Sequence, residues 1–300
     1  MVGRCGVRGR FVWVASAYDV SVVGRAGFSL VELLVVVAII FVVVALLLPP
    51  PTSSRRDKFR ELSPPERKTA EEIERHGTLY IYSASQRIID FRVANYPEGV
   101  TDQTLENLNS RISSELSVAA ANMKQQLGFR LGHTQVTDAG LAFLRDWNML
   151  RRLELSEGTT DAGMARVAEM TQLEDVDLFW TQVTDAGIPQ LSRLKNLRSL
   201  KLPWKVTDAG LAEVAKFRQL EYLTICGNCT DDGMKSISEL SNLQDLSICS
   251  SYITDIGLTH IKSLSRLTEL GLTGTAVTDE GARRLLVTNP KLTVYLMGGP

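Results

Sequence analysis

The chain has almost no net charge: its 300 residues carry 33 basic and 34 acidic side chains, which leaves −1. No basic stripe dominates any long segment, so the electrostatic footprint of a nucleic-acid-binding protein is missing. Cysteine is scarce, and four in 300 residues do not build the disulfide framework of a small secreted domain. The three histidines, His76, His133 and His260, lie far apart and read as surface or structural residues. There is no Ser/His/Asp set, no phosphate-binding loop and no dinucleotide fingerprint. These gaps argue against catalysis, a cofactor, a metal or a small-molecule substrate.

What the sequence does have is unevenly placed. Residues 28 to 48, FSLVELLVVVAIIFVVVALLL, hold one charge in 21 positions. At about 1.5 Å per residue this run spans the roughly 30 Å hydrocarbon core, so it reads as a single membrane helix. A secretory signal peptide would have a shorter apolar core ending in small residues. Here the run ends at Leu48, because Pro49, Pro50 and Pro51 cannot continue a helix.

At the front edge, Gly27 precedes Phe28, Ser29, Leu30, Val31 and Glu32, followed by uncharged apolar residues from Leu33 to Leu46. This segment resembles the N-terminal cleavage and methylation segment of type IV prepilins and type II secretion pseudopilins. The resemblance implies a prepilin peptidase that cuts after Gly27, N-methylation of Phe28, and a Glu32 carboxylate that pairs with a neighbouring subunit's terminal amine. A carboxylate inside a membrane helix is costly unless such a partner is supplied. The resemblance covers about 20 residues, and two features depart from a pilin: the three prolines end the helix, and the 26 residues before Gly27 are a long leader. A start at Val22 or Val23 would leave the short basic leader MGRAG.

Two signals for orientation conflict. The resemblance implies an N-terminus in the cytoplasm of a bacterial cell and the remainder outside its inner membrane. Arg55, Arg56, Lys58 and Arg60 lie just after the helix, and by the positive-inside rule alone they would hold residues 52 onward in the cytoplasm. The more specific motif decides for an extracytoplasmic remainder.

Thr137, Thr160, Thr184, Thr207, Thr230, Thr254 and Thr278 are each followed by aspartate, at spacings of 23, 24, 23, 23, 24 and 24 residues. A fixed period of this size indicates a solenoid. Seven residues after each threonine comes an apolar residue, from Leu144 to Leu285. Sixteen and eighteen residues after come apolar pairs, from Leu153/Leu155 to Val294/Leu296, each reading as a short strand with one face inward. Each Thr-Asp reads as a helix start, with both side chains capping first-turn N–H groups. One strand and one helix per period, with the turn VTDAGL at 136–141 and 206–211, resembles the bacterial leucine-rich repeats akin to the cysteine-containing subfamily. The resemblance implies an α/β solenoid with parallel strands on its concave face and helices on its convex face.

The expected layout is a leader at 1–27, a transmembrane helix at 28–48, a Pro-rich basic linker at 49–65, an N-terminal cap at 66–99 and repeats at 100–300. The cap is a helix at 66–76 and a strand at 78–82, covering the first repeat's edge. Thr101-Asp102 opens a longer repeat with an insertion within 113–124, and strands are expected at 91–93 and 129–131.

Cys226-Gly-Asn-Cys229 has the spacing of a metal or redox pair, but the repeat register gives another account. Cys229 takes a position that is valine or isoleucine elsewhere, and Cys226 and Cys249 occupy equivalent places in adjacent repeats. At about one strand spacing they could be bridged, although free thiols are the expectation. On the concave face Arg152, Asp177, Lys201 and Tyr222 should be exposed. Just beyond the strands Phe179, Trp180 and Trp204 should cluster beside Tyr222. The rings either form a contact patch for a protein partner or cover the ascending loop. The expectation is a membrane-anchored, non-catalytic protein-binding module. The alternative is a minor pilin or pseudopilin that enters a filament and displays the repeats.

Overall fold

The computed structural model describes residues 78–82, 88–92, 100–107, 109–110 and 126–297. The leader, the 28–48 helix, the linker, the 66–76 helix and the 113–124 insertion lie outside these residues. Among the described residues no helix is long and apolar enough to cross a membrane.

Ten strands among the described residues form one sheet: β1 (Thr78–Tyr82), β2 (Ile88–Arg92), β3 (Gln126–Arg130), β4 (Leu150–Glu154), β5 (Asp175–Asp177), β6 (Ser199–Lys201), β7 (Tyr222–Cys226), β8 (Asp245–Cys249), β9 (Glu269–Thr273) and β10 (Thr293–Met297). Their order in space is their order in sequence. β1 pairs antiparallel with β2, and every later neighbour is parallel. Consecutive parallel strands require a crossover each time, and a period of 23 or 24 residues is just long enough for one helical turn segment. This makes the chain a leucine-rich repeat solenoid. β2 and β3 begin three residues earlier than the apolar pattern suggests, because the strand ladder continues past the inward-facing pair.

The crossovers carry α1 (Asp161–Val167), α2 (Asp208–Val214), α3 (Asp231–Ile237), α4 (Asp255–His260) and α5 (Asp279–Thr288). Two crossovers depart from the expected helix and hold 3₁₀ turns, Gly140–Leu144 and Ile188–Arg193. In the second, Pro189 restricts Ile188 and lacks the N–H that a continuing helix would use. In the first, the local hexapeptide is not the cause, since VTDAGL at 206–211 opens an α-helix while the same six residues at 136–141 do not. The two repeats diverge after it: the eighth residue past the threonine is Arg145 in one and buried Ala215 in the other.

Between sheet and helices lies a continuous apolar core. The residues seven past each threonine and the strand pairs up to Leu270/Leu272 are all buried. In the strand ladder Leu153, Val176, Leu200, Leu223, Leu246 and Leu270 stack in register. The last pair differs: Val294 is partly buried and Leu296 is exposed, as β10 is the final strand of the sheet.

The Thr-Asp dipeptide works differently from the simple cap expected. The threonine hydroxyl does accept the N–H two residues on, as from Ala162, Ala209, Asp232 and Ile256. The aspartate instead reaches forward one repeat. Asp102, Asp138, Asp161, Asp185, Asp208, Asp231 and Asp255 each accept the backbone N–H of the next repeat's threonine at 2.7–2.8 Å and its hydroxyl at 2.6–2.8 Å. The glycine three residues past each threonine makes room for that carboxylate, as a Cβ on Gly140, Gly163, Gly187, Gly210, Gly233, Gly257 or Gly281 would collide with it. At the far end of the crossover a second ladder runs from Gln172, Asn196, Gln219 and Asn242 to carbonyls of the preceding repeat.

Candidate functional site

Outward-facing strand residues form two columns across the sheet. One runs Arg152, Asp175, Ser199, Tyr222, Asp245 and Glu269; the other runs Glu154, Asp177, Lys201, Thr224, Ser247 and Gly271. Charges of opposite sign sit side by side at one end: Arg152 Nε lies 3.0 Å from Asp175 Oδ2, and Lys201 Nζ lies 2.7 Å from Asp177 Oδ2. With Arg130 near Glu154 these groups rim a shallow polar basin floored by Phe129 and Leu153. At the other end the first column is acidic, with Asp245 beside Glu269. Asp245 is held above the usual carboxylate range, chiefly by burial and then by Glu269 beside it.

One step beyond the strands the aromatic side chains gather. The Phe179 and Trp180 ring centroids are 4.8 Å apart and nearly perpendicular, and Phe179 meets Trp204 at 5.5 Å. Edge-to-face contacts of this kind are favourable beyond the area they bury. Trp180 and Trp204 remain 45% and 50% exposed, so the cluster presents ring surface to solvent rather than sealing a loop completely. The backbone beneath Trp204 is fixed by Gly227, whose φ of +102° and close approach to the Trp204 carbonyl admit no side chain.

Two placements differ from the sequence expectation. Tyr222 is exposed, but it begins β7 opposite Ser199, five residues before Trp204 and roughly 15 Å away along the strand direction. It belongs to the column, not to the ring cluster. The neighbour that does join is His133, whose ring lies 5.7 Å from Trp180 and whose Nδ1 is 3.2 Å from Glu157 Oε1. Its φ of 61° puts a non-glycine residue in the left-handed region. The signal was in the register: Gly132-His133 follow Leu131 as Phe179-Trp180 follow Leu178.

The three described cysteines are free thiols. Cys229 is buried, donates to the Val206 carbonyl at 3.5 Å, and is pushed up to about 12 by burial and by Asp208 and Asp185. No group of three or more His, Cys, Asp or Glu side chains that could hold a metal ion is present among the described residues.

Residues 24–48 match the prokaryotic N-terminal methylation motif. No curated protein matches the chain. Among solved structures it is similar to an internalin C2 of Listeria monocytogenes, at 25% identity and a TM-score of 0.48 over 69% of this chain and 80% of that one. It is also similar to an internalin (inlF) of the same organism, at 19% identity and a TM-score of 0.46 over 78% and 74%.

Proposed function

We propose that this chain is a membrane-tethered, non-catalytic interaction module whose solenoid presents its concave face to a protein partner. The observation that carries the binding role is the Phe179, Trp180 and Trp204 cluster, half-exposed next to the Asp177–Lys201 pair, with Arg152 farther along the same face. Exposed aromatic rings framed by paired charges are the composition of interaction hot spots. Tyr222 adds a second, separate contact on the same face. Residues 28–48 supply the tether in a bacterial inner membrane, with cleavage after Gly27 by a prepilin peptidase, methylation of Phe28 and the repeats outside the cytoplasm. The methylation motif at 24–48 supports this reading.

Glu32 favours a second reading, in which the chain enters a type IV pilus or type II secretion filament as a minor subunit. A lone carboxylate in an apolar helix needs a partner, and a neighbouring subunit's amine is one. Glu32→Gln separates the two readings: filament entry is lost, whereas simple anchoring tolerates the change.

The binding role is tested by placing a photo-crosslinking residue at Thr224 on the concave side, or at Lys216 on the helical side, of the full chain in intact cells. A discrete protein adduct from Thr224 alone supports the proposal. Equal adducts from both positions, or none from Thr224, contradict it.

A further inference from the structure

The thiols of Cys226 and Cys249 are not explained by an interaction surface. They end β7 and β8 and are direct partners in the parallel register. Directly opposed residues of parallel strands project to the same side, and their Cα atoms stand about 4.8 Å apart, within the roughly 4.4–6.8 Å span that a disulfide bridges. The two thiols perturb each other's ionisation, as groups that face across one strand spacing do. Gly227 N–H donates to the Cys249 carbonyl at 3.3 Å and keeps the strand ends together.

The two positions differ in access. Cys226 is buried and Cys249 is half-buried. Cys229, only three residues from Cys226, points into the core onto the Val206 carbonyl and is not a competing partner.

We propose that Cys226 and Cys249 are an oxidisable dithiol that closes to an inter-repeat disulfide by exchange with an external disulfide, Cys249 attacking first. The Cys249 thiolate attacks one sulfur of the external disulfide, forming a mixed disulfide and releasing one thiolate. Cys226 then gives up its proton and attacks Cys249 Sγ, releasing the second thiolate. Two protein thiols are oxidised, one external disulfide is reduced to two thiols, and no other reactant is needed. The half-buried Cys249 is the thiol that an external disulfide can reach, and the neighbouring Cys226 thiol favours its ionised form, while burial and the same neighbour raise Cys226. The attacking and resolving roles follow from that difference in access. The closed bond would tie two repeats together beside the Trp204 backbone, which Gly227 touches. Closure in the cell rests on the extracytoplasmic placement proposed above, since that compartment is oxidising. Closure in vitro does not.

The purified, reduced full chain is incubated with oxidised glutathione, alkylated and digested without reduction. The expected product is a Cys226–Cys249 linked peptide pair, two hydrogens lighter than its parts. Cys226→Ala should stop at a stable glutathione adduct on Cys249, and Cys249→Ala should leave Cys226 unreacted. A glutathione adduct that persists in the wild type, a Cys226–Cys229 link, or no reaction would overturn the dithiol. In cells quenched with acid before alkylation, the same linked pair is expected. Free thiols there, alongside the linked pair in vitro, would uphold the dithiol and contradict the extracytoplasmic placement.

Discussion

The carboxylate of Asp208 holds Thr230 of the following repeat by two bonds, the backbone N–H at 2.8 Å and the hydroxyl at 2.6 Å. One aspartate thus orders the first turn of a helix it does not belong to, since the held hydroxyl in turn accepts the Asp232 N–H and caps α3. A solenoid is stable only through its repeat interfaces, and this rung lies on one. Asp208→Ala removes two charge-assisted bonds, and the partly exposed site predicts a loss of about 2 kcal/mol, read as a drop in Tm of the detergent-solubilised protein. A loss no larger than that of an exposed helical aspartate away from the ladder, such as Asp232, would show that the rung contributes little.

The glycine of the motif gives a sharper test because two effects oppose each other. Gly233 lies inside α3, where alanine is intrinsically better by about 1 kcal/mol. A Cβ there would strike the Asp208 carboxylate and Leu211. Gly233→Ala should therefore destabilise, and in the Asp208→Ala background most of that cost should disappear. Additive effects in this double-mutant cycle would contradict the steric account.

Asp245 provides the pH dependence. Its carboxyl is raised above the ordinary 3.8 by burial and by Glu269. Folding therefore favours the protonated form: the group stabilises the fold below its unfolded pKa, and that contribution is lost as the pH rises through the folded pKa. Asp245→Asn should raise Tm at neutral pH, and the gain should shrink as the medium is made more acidic than the carboxylate range. A gain that is constant across this range would show that the shift has another origin.

Trp180→Ala and Trp204→Ala should leave the melting temperature nearly unchanged, since about half of each side chain already meets solvent. Each should reduce the crosslinked adduct from Thr224 about tenfold, the effect of losing roughly 1.4 kcal/mol at a hot spot. A large fall in Tm with undiminished adduct would assign the rings to loop packing.

The repeat arithmetic made most of this fold legible. A period of 23 or 24 residues, with Leu144 and its equivalents on one element and Leu153/Leu155 and theirs on another, places nearly every core residue of the repeats. The Asp-x-Gly spacing was visible too, but its meaning was not, because the partners Asp208 and Thr230 lie in different repeats and a local reading assigns both to one cap. The choice between α-helix and 3₁₀ turn was hidden for a related reason: VTDAGL adopts both. On the surface, Trp180 and Trp204 were legible from their equivalent positions. Tyr222 lies in the repeat next to that of Trp204, so repeat stacking alone puts it beside the rings, whereas the strand register sets it at the opposite end of its strand. His133 reads as an isolated surface histidine until its register position is matched with that of Trp180.

The tether is the central claim, and it is tested most directly by mass spectrometry of the mature N-terminus of the protein isolated from its native membrane. The account predicts a chain that begins at Phe28 carrying one added methyl group on its amine, with nothing remaining of residues 1–27. A chain that retains Gly27 and the residues before it would contradict processing by a prepilin peptidase, and with it the assignment of residues 28–48 as a prepilin-type anchor.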